Sequence, residues 1–242
     1  MKAFANQVAV VTGASGGIGR AIALALAAEG AALILIGRDE QRLQASVEAA
    51  RQKNVSVQSF RMDVTDDAEI RRLVTHLNSD HSGLDVLAHS SSAFHKGSIG
   101  TTPVEELDRL YYVNVRAPYL LTQGLLPLLK SVKGQIVFIN STQGLEAGDT
   151  VGPFAATQHA LKAFADSLRK EINAEGVRVI SFFPGRTATP RTEKIFALEG
   201  RTFQPDLLLQ PEDVAAMVIN TLSAPRTAEV TDVSIRSMQK TY

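Results

Sequence analysis

"VVTGASGGIGR", Val10–Arg20, joins an apolar run to the start of a long helical pattern. The run it closes, "VAVVT" (8–12), is apolar and β-branched without alternation, as expected of a strand covered on both faces. The pattern it opens continues through "AIALALAA" (21–28) and is stopped by Glu29, far too short to span a bilayer. Between the two, Gly13, Gly17 and Gly19 follow a G-x-x-x-G-x-G spacing. Gly13 allows a tight turn out of the strand, Gly17 lets the main chain approach a pyrophosphate, and Gly19 lets the helix pack close to the sheet. A phosphate there meets free N–H groups and the positive end of a helix dipole. Glycines alone are weak evidence; the strand–turn–helix context makes this stretch a candidate dinucleotide loop.

Working outward, the same alternation repeats. "LILI" (33–36), "VSVQSF" (55–60), "LDVLA" (84–88), "QIVFIN" (135–140) and "VRVISFF" (177–183) read as further buried strands, with a short last one in "EVTDVSI" (229–235). Helical stretches fall at roughly 17–29, 39–53, 66–80, 103–131, 154–174 and 211–222. Asp63–Asp66 offers N-cap residues for the third and Pro103 can start the fourth. The expectation is an α/β fold: a single doubly wound (Rossmann) domain over residues 1–242, about seven parallel strands with helices on both faces. The irregular stretch 184–211 is long enough to act as a substrate lid at about 186–210. The alternative is a surface excursion containing one short helix.

Composition narrows the function classes. Lys plus Arg and Asp plus Glu number 25 each, so the net charge is zero, which argues against a nucleic-acid or membrane-surface partner. With no cysteine, disulfides, thiolate catalysis and cysteine-ligated metals are excluded. The five histidines are scattered and never pair with carboxylates at ligand spacing, so no metal site is expected. The N-terminus has Lys2 but no apolar core of a signal peptide, and the expected location is the cytoplasm.

"TGASGGIG" resembles the cofactor motif of the short-chain dehydrogenase/reductase family, and the likeness runs over essentially the whole chain. It implies cofactor contacts from Gly13, Ser15, Gly17, Ile18 and Gly19, from Asp63 and Val64 in "RMDVTD" with Asp63 on the adenine amino group, and from Ser91. Pro184, Gly185 and Thr189 in "PGRTAT" resemble the loop that contacts the nicotinamide. Asn114 in "YYVNV" and Ser141 in "INSTQG" match two catalytic residues, the serine holding the substrate carbonyl and the asparagine supporting a water chain. NAD-binding members carry an acid at the end of the second strand; here Gly37 is followed by Arg38. A guanidinium can pair with a 2′-phosphate, so the expected cofactor is NADP(H), with NAD(H) second. Arg38 can also simply face water, or pair with Asp39. By resemblance the chain forms a homodimer or homotetramer through the helices at about 103–131 and 154–174. The small-molecule substrate is not readable.

The chemistry is where the chain departs from the family. Thirteen residues after Ser141, where the catalytic tyrosine is expected, stands Phe154; four further, in place of the lysine, stands Gln158. Phenylalanine fills a tyrosine's volume without an exchangeable proton, and general acid–base catalysis contributes roughly 10²–10⁴-fold. The family's Asn-Asn-Ala-Gly is His89-Ser90-Ser91-Ser92, and a serine in the glycine's place restricts φ beside the cofactor. His89, near the strand switch point, is the first candidate for a replacement acid, against the alternative of a hydrogen-bonded wall residue. His95 and Tyr111 are weaker candidates, with core or interface packing the alternative for Tyr111, and Gln143 is expected to line a substrate pocket.

Overall fold

The computed structural model describes residues 2–239. Seven strands form one sheet: β1 Val8–Thr12, β2 Ala32–Gly37, β3 Val57–Arg61, β4 Val86–His89, β5 Gln135–Ile139, β6 Arg178–Pro184 and β7 Asp232–Ile235. Their order is β3-β2-β1-β4-β5-β6-β7, and every neighbouring pair is parallel. Among the described residues the α-helices are α1 Gly17–Ala28, α2 Glu40–Arg51, α3 Asp67–Asp80, α4 Val104–Tyr111, α5 Ala117–Ser131, α6 Gly152–Ile172, α7 Pro190–Leu198 and α8 Pro211–Leu222. Among the described residues no helix is long and apolar enough to cross a membrane.

The unbroken apolar strands follow from having two cores. Side chains of a strand point alternately to opposite faces. Ala9, Val11, Leu33, Leu35, Val137 and Phe182 pack in one layer with α1, α2 and α8. Val10, Ile34, Ile36, Ile136, Phe138 and Val179 pack in the other with α3, α5 and α6. Both faces of the central strands are covered, which is why their runs are almost continuously apolar, while the edge strands β3 and β7 keep exposed polar positions.

The glycine turn takes the geometry expected of it. Gly13 and Gly17 hold φ of +70° and +52°, and a Cβ on Gly19 would lie 2.4 Å from the Gly13 carbonyl oxygen. That contact sets how closely α1 approaches the end of β1.

Two expected elements are refined. The single helix over 103–131 is α4 and α5 joined by a π-helical turn, Tyr112–Arg116. Such a bulge re-aims side chains, and here Asn114 is buried within it. The irregular stretch contains one short helix, α7, and its ends are tied together by a bridge between Thr187 and Leu209. Phe196 of α7 is buried, packs on Phe203 and lies between the guanidinium groups of Arg186 and Arg201. Both arginines share Glu199 with Lys96. The hydrogen bonds from Arg186 hold the Glu199 carboxyl below the usual range.

Candidate functional site

In a doubly wound sheet, ligands settle outside the carboxyl ends of the strands where strand order reverses. Here that point lies between β1 and β4. The lips of the crevice are the glycine turn after β1 and the loop after β4, joined by Thr12, whose Oγ1 accepts from the Ser90 and Ser91 amides at 3.0 and 3.1 Å. Ser92 is not among the residues at positive φ, so a serine in place of the family glycine is unstrained.

The phosphate end is intact. Gly16 precedes α1 with no side-chain cap and no acid follows in the first turn, leaving the helix's amino groups and its dipole free for an anion. Ile18 packs on the core beneath. Ser15 Oγ reaches the Asp39 carbonyl at 3.4 Å, and a Cβ on Gly37 would lie 2.0 Å from that hydroxyl. Ser15 in its present position therefore leaves no room for the acid that NAD-binding relatives carry at 37.

Arg38 is 82% exposed by side chain and sits 3.9 Å from Asp63, not beside Asp39. Asp39 is occupied as the cap of α2 and with Arg42. Asp63 is oriented by Thr65, whose amide and hydroxyl donate to its Oδ1, while Val64 packs against the core. Arg61 was not anticipated from sequence. Parallel pairing of β2 and β3 puts it opposite Gly37, and it borders an open depression of about 580 Å³ with Arg38, Asp39, Glu40 and Gln41. The signal was present in "SFRMDVT", two residues before Asp63, but only the strand register places it.

At the chemical end, one hydrogen-bonded network joins the expected positions. Asn114 accepts from the Ala93 amide at 2.7 Å and donates to the Ala93 carbonyl and to Thr157 Oγ1, both at 3.0 Å. Thr157 donates in turn to the Phe154 carbonyl. Asn140 donates to the Gln158 carbonyl and accepts from the Ser141 amide, tying the serine's turn to α6. Ser141 Oγ accepts from the Gln143 amide at 3.2 Å. Gln143 folds back onto Gly148 through its side chain. Pro184 ends β6, and Gly185 is held to Ile235 at 2.8 Å. Thr189 caps α7 and touches the place where Gly17 would carry Cβ, at 3.2 Å.

The two substituted positions are buried. Phe154 is 6% exposed and packs with Ala93 and Leu110, its ring edge-on to Phe94 at 5.0 Å. Gln158 is 1% exposed, and its Oε1 has no hydrogen-bond partner. Buried polar atoms are ordinarily satisfied, so an unpartnered acceptor here fits a ligand hydroxyl such as a ribose. Together with the free end of α1, this meets the chemical demands of a dinucleotide.

His89 takes the position of a hydrogen-bonded wall residue. It is 3% exposed, stacked on Phe138 and bonded through Nε2 to Thr122 at 2.9 Å, on the α5 side of the sheet. Burial pushes its pKa down to about 3, which favours the neutral imidazole at ordinary pH. Strand alternation explains the placement: His89 follows Ala88, which faces the opposite layer. Tyr111 and Tyr112 lie exposed on the outer surface, and His95 pairs with Glu106 at 3.3 Å.

Comparisons with known proteins agree with this geometry. The sequence model described as short chain dehydrogenase matches residues 7–200. An uncharacterized oxidoreductase of Staphylococcus epidermidis is 35% identical over 232 residues, 96% of this chain and 97% of that protein. Among solved structures, a metagenomic short-chain oxidoreductase in complex with NADP superposes with a TM-score of 0.84 at 28% identity, over 98% of this chain and all of that one. L-sorbose reductase from Gluconobacter frateurii, complexed with NADPH and L-sorbose, gives 0.88 at 25% identity, over 97% of each chain. With its sheet order, its glycine turn and these matches, the chain belongs to the short chain dehydrogenase family.

Proposed function

We propose that this protein binds NADP(H) in the switch-point crevice and works there without the family's tyrosine relay, as a dinucleotide-binding member whose carbonyl reduction is slow or absent. The observation that carries this reading is Gln158, buried with an unpartnered acceptor where the family's ribose-bonding lysine is expected. An amide oxygen accepts from a ribose hydroxyl but supplies no positive charge. A buried lysine with no phenolate to stabilise would carry only its desolvation penalty, so the losses at 154 and 158 fit together.

The remaining residues divide the binding. The glycine turn and the amino end of α1 suit the pyrophosphate, Asp63 the adenine, and Arg38 with Arg61 a 2′-phosphate. NADP-bound relatives at 25–28% identity support the phosphorylated form. When bound, NADPH supplies a hydride to an acceptor carbon. Ser141 still presents a hydroxyl that can hold a carbonyl oxygen. Phe154 has no proton to deliver, and the buried, neutral His89 does not substitute for it. The segment at 186–210 serves as the substrate cover in this reading.

A second reading, oxidoreduction of a carbonyl or alcohol with solvent as proton source, draws on the retained Ser141 and Asn114. Side-by-side titration with NADPH and NADH, followed by a carbonyl panel, separates the two. The expected result is tight NADPH binding, weak NADH binding, and no NADPH consumption above the no-enzyme rate. Robust turnover selects the second reading, and failure to bind either dinucleotide rejects both. A homodimer or homotetramer is also proposed, on the exposed Val104, Leu107, Tyr111, Tyr112 and Tyr119 of one continuous helical stretch. Light scattering tests it.

A further inference from the structure

The first turn of α7 crosses the crevice. Thr189 lies over Gly17 on one lip, and two residues later the Arg191 guanidinium donates through Nη2 to the main-chain carbonyl of Ser92 on the other. The segment Thr189–Arg191 thus touches both loops between which a dinucleotide would lie, Thr189 at Gly17 and Arg191 at Ser92. By surface area the residue is exposed, with its guanidinium seated against the Ser92 carbonyl.

Its charge is also unmatched. At the mouth of the crevice Arg186, Arg201 and Lys96 share Glu199, while Arg109 and His95 share Glu106. Among the described residues no carboxylate lies within 4.0 Å of Arg191, and its nearest influential charge is the like-signed Arg109. Desolvation and that repulsion hold its pKa below the ordinary arginine value. A partly desolvated guanidinium on one neutral carbonyl is poorly compensated. An anionic oxygen would be a much stronger partner, since charge-assisted bonds are roughly twice as strong as neutral ones. No motif of the sequence marks this residue; only the path of α7 does.

We propose that Arg191 is a binding residue for the dinucleotide's pyrophosphate, exchanging the Ser92 carbonyl for a phosphate oxygen and so strapping α7 across the occupied crevice. This rests on the reading that the crevice takes NADP(H). Titration of NADPH and of adenosine 2′-monophosphate into wild type, Arg191→Met and Arg191→Lys at several salt concentrations tests it. Arg191→Met should weaken NADPH about tenfold and flatten its salt dependence, and Arg191→Lys should recover part of both. Adenosine 2′-monophosphate, which reaches only the Arg38 end, should bind all three alike. Wild-type NADPH affinity or tighter in Arg191→Met would overturn the strap alone, showing that the arginine merely bars an empty crevice. Equal weakening of the monophosphate would also overturn it, as a general rather than a pyrophosphate effect. If wild type binds neither ligand, the cofactor reading fails and the strap with it. Thermal unfolding of each variant controls for folding, and the lysine variant keeps the test open if methionine proves unstable.

Discussion

The two ends of the crevice have diverged to different degrees. The phosphate end is made of main chain: the glycine turn, the free amides of α1, and Thr12 holding the Ser90 and Ser91 amides. The expected chemical end depends on side-chain functional groups, of which Asn114 and Ser141 are kept while Phe154 and Gln158 stand at the other two positions. Binding built from backbone geometry survives substitution elsewhere, whereas a proton relay disappears with one hydroxyl. Affinity and catalysis are thereby separable in one site.

The sharpest way to break that comparison is to rebuild the lost half. The double change Phe154→Tyr, Gln158→Lys should raise NADPH-dependent carbonyl reduction by roughly 10²–10⁴-fold, with little change in NADPH affinity. An unchanged rate on a broad carbonyl panel would place the block elsewhere, in the substrate pocket or at Ser92. The converse is to damage the retained half. Gly19→Val puts side-chain atoms into the Gly13 carbonyl, 2.4 Å from the Cβ site. It should destabilise the fold by about 1–3 kcal/mol and weaken NADPH by roughly a hundredfold. Normal affinity measured calorimetrically in this variant would mean that the turn is not the phosphate site.

A smaller effect concerns His89, which belongs to the core rather than to either end. Its folded pKa of about 3 lies below its ordinary 6.5. As pH falls through that window the unfolded chain takes up the proton first. The stability it contributes is therefore fully present above about pH 6.5 and lost toward pH 3, at about 1.4 kcal/mol per pH unit. Urea denaturation of His89→Asn between pH 3.5 and 7 should show a shallower slope than wild type; identical slopes would mean that the histidine is not held neutral. The mildest change sharpens the adenosine end. Arg38→Ala should cost about tenfold in NADPH affinity and leave NADH binding as it is, the role proposed for this exposed guanidinium being to pair with the 2′-phosphate. Equal loss for both would move the preference to Arg61 or to the Ser15–Gly37 contact.

The fold was legible because hydrophobic pattern and turn chemistry are local properties. Uniformly apolar strands alternating with helices require a sheet buried on both faces, and the glycine spacing requires a tight turn into a helix. The identities of Phe154 and Gln158, thirteen and seventeen residues after Ser141, were equally legible, since they are read directly along the chain. The π turn around Asn114 was not, because one extra residue in a helical turn leaves the apolar periodicity nearly unchanged.

What remained belonged to the tertiary structure. Strand register brought Arg61 opposite Gly37, which no spacing along the chain announces. The capping role of Asp39 left Arg38 to pair with Asp63. The alternation of β4 turned His89 into the α5 layer, where burial disfavours its charged form. The path of α7 carried Arg191 over the crevice to Ser92. The sequence by itself determined the fold, the glycine turn and the presence of Phe154 and Gln158 on the helix after Ser141, because these depend on residues close along the chain. Which charged and titratable groups face the ligand was decided only in three dimensions, because desolvation and ion pairing depend on neighbours that folding brings from distant segments.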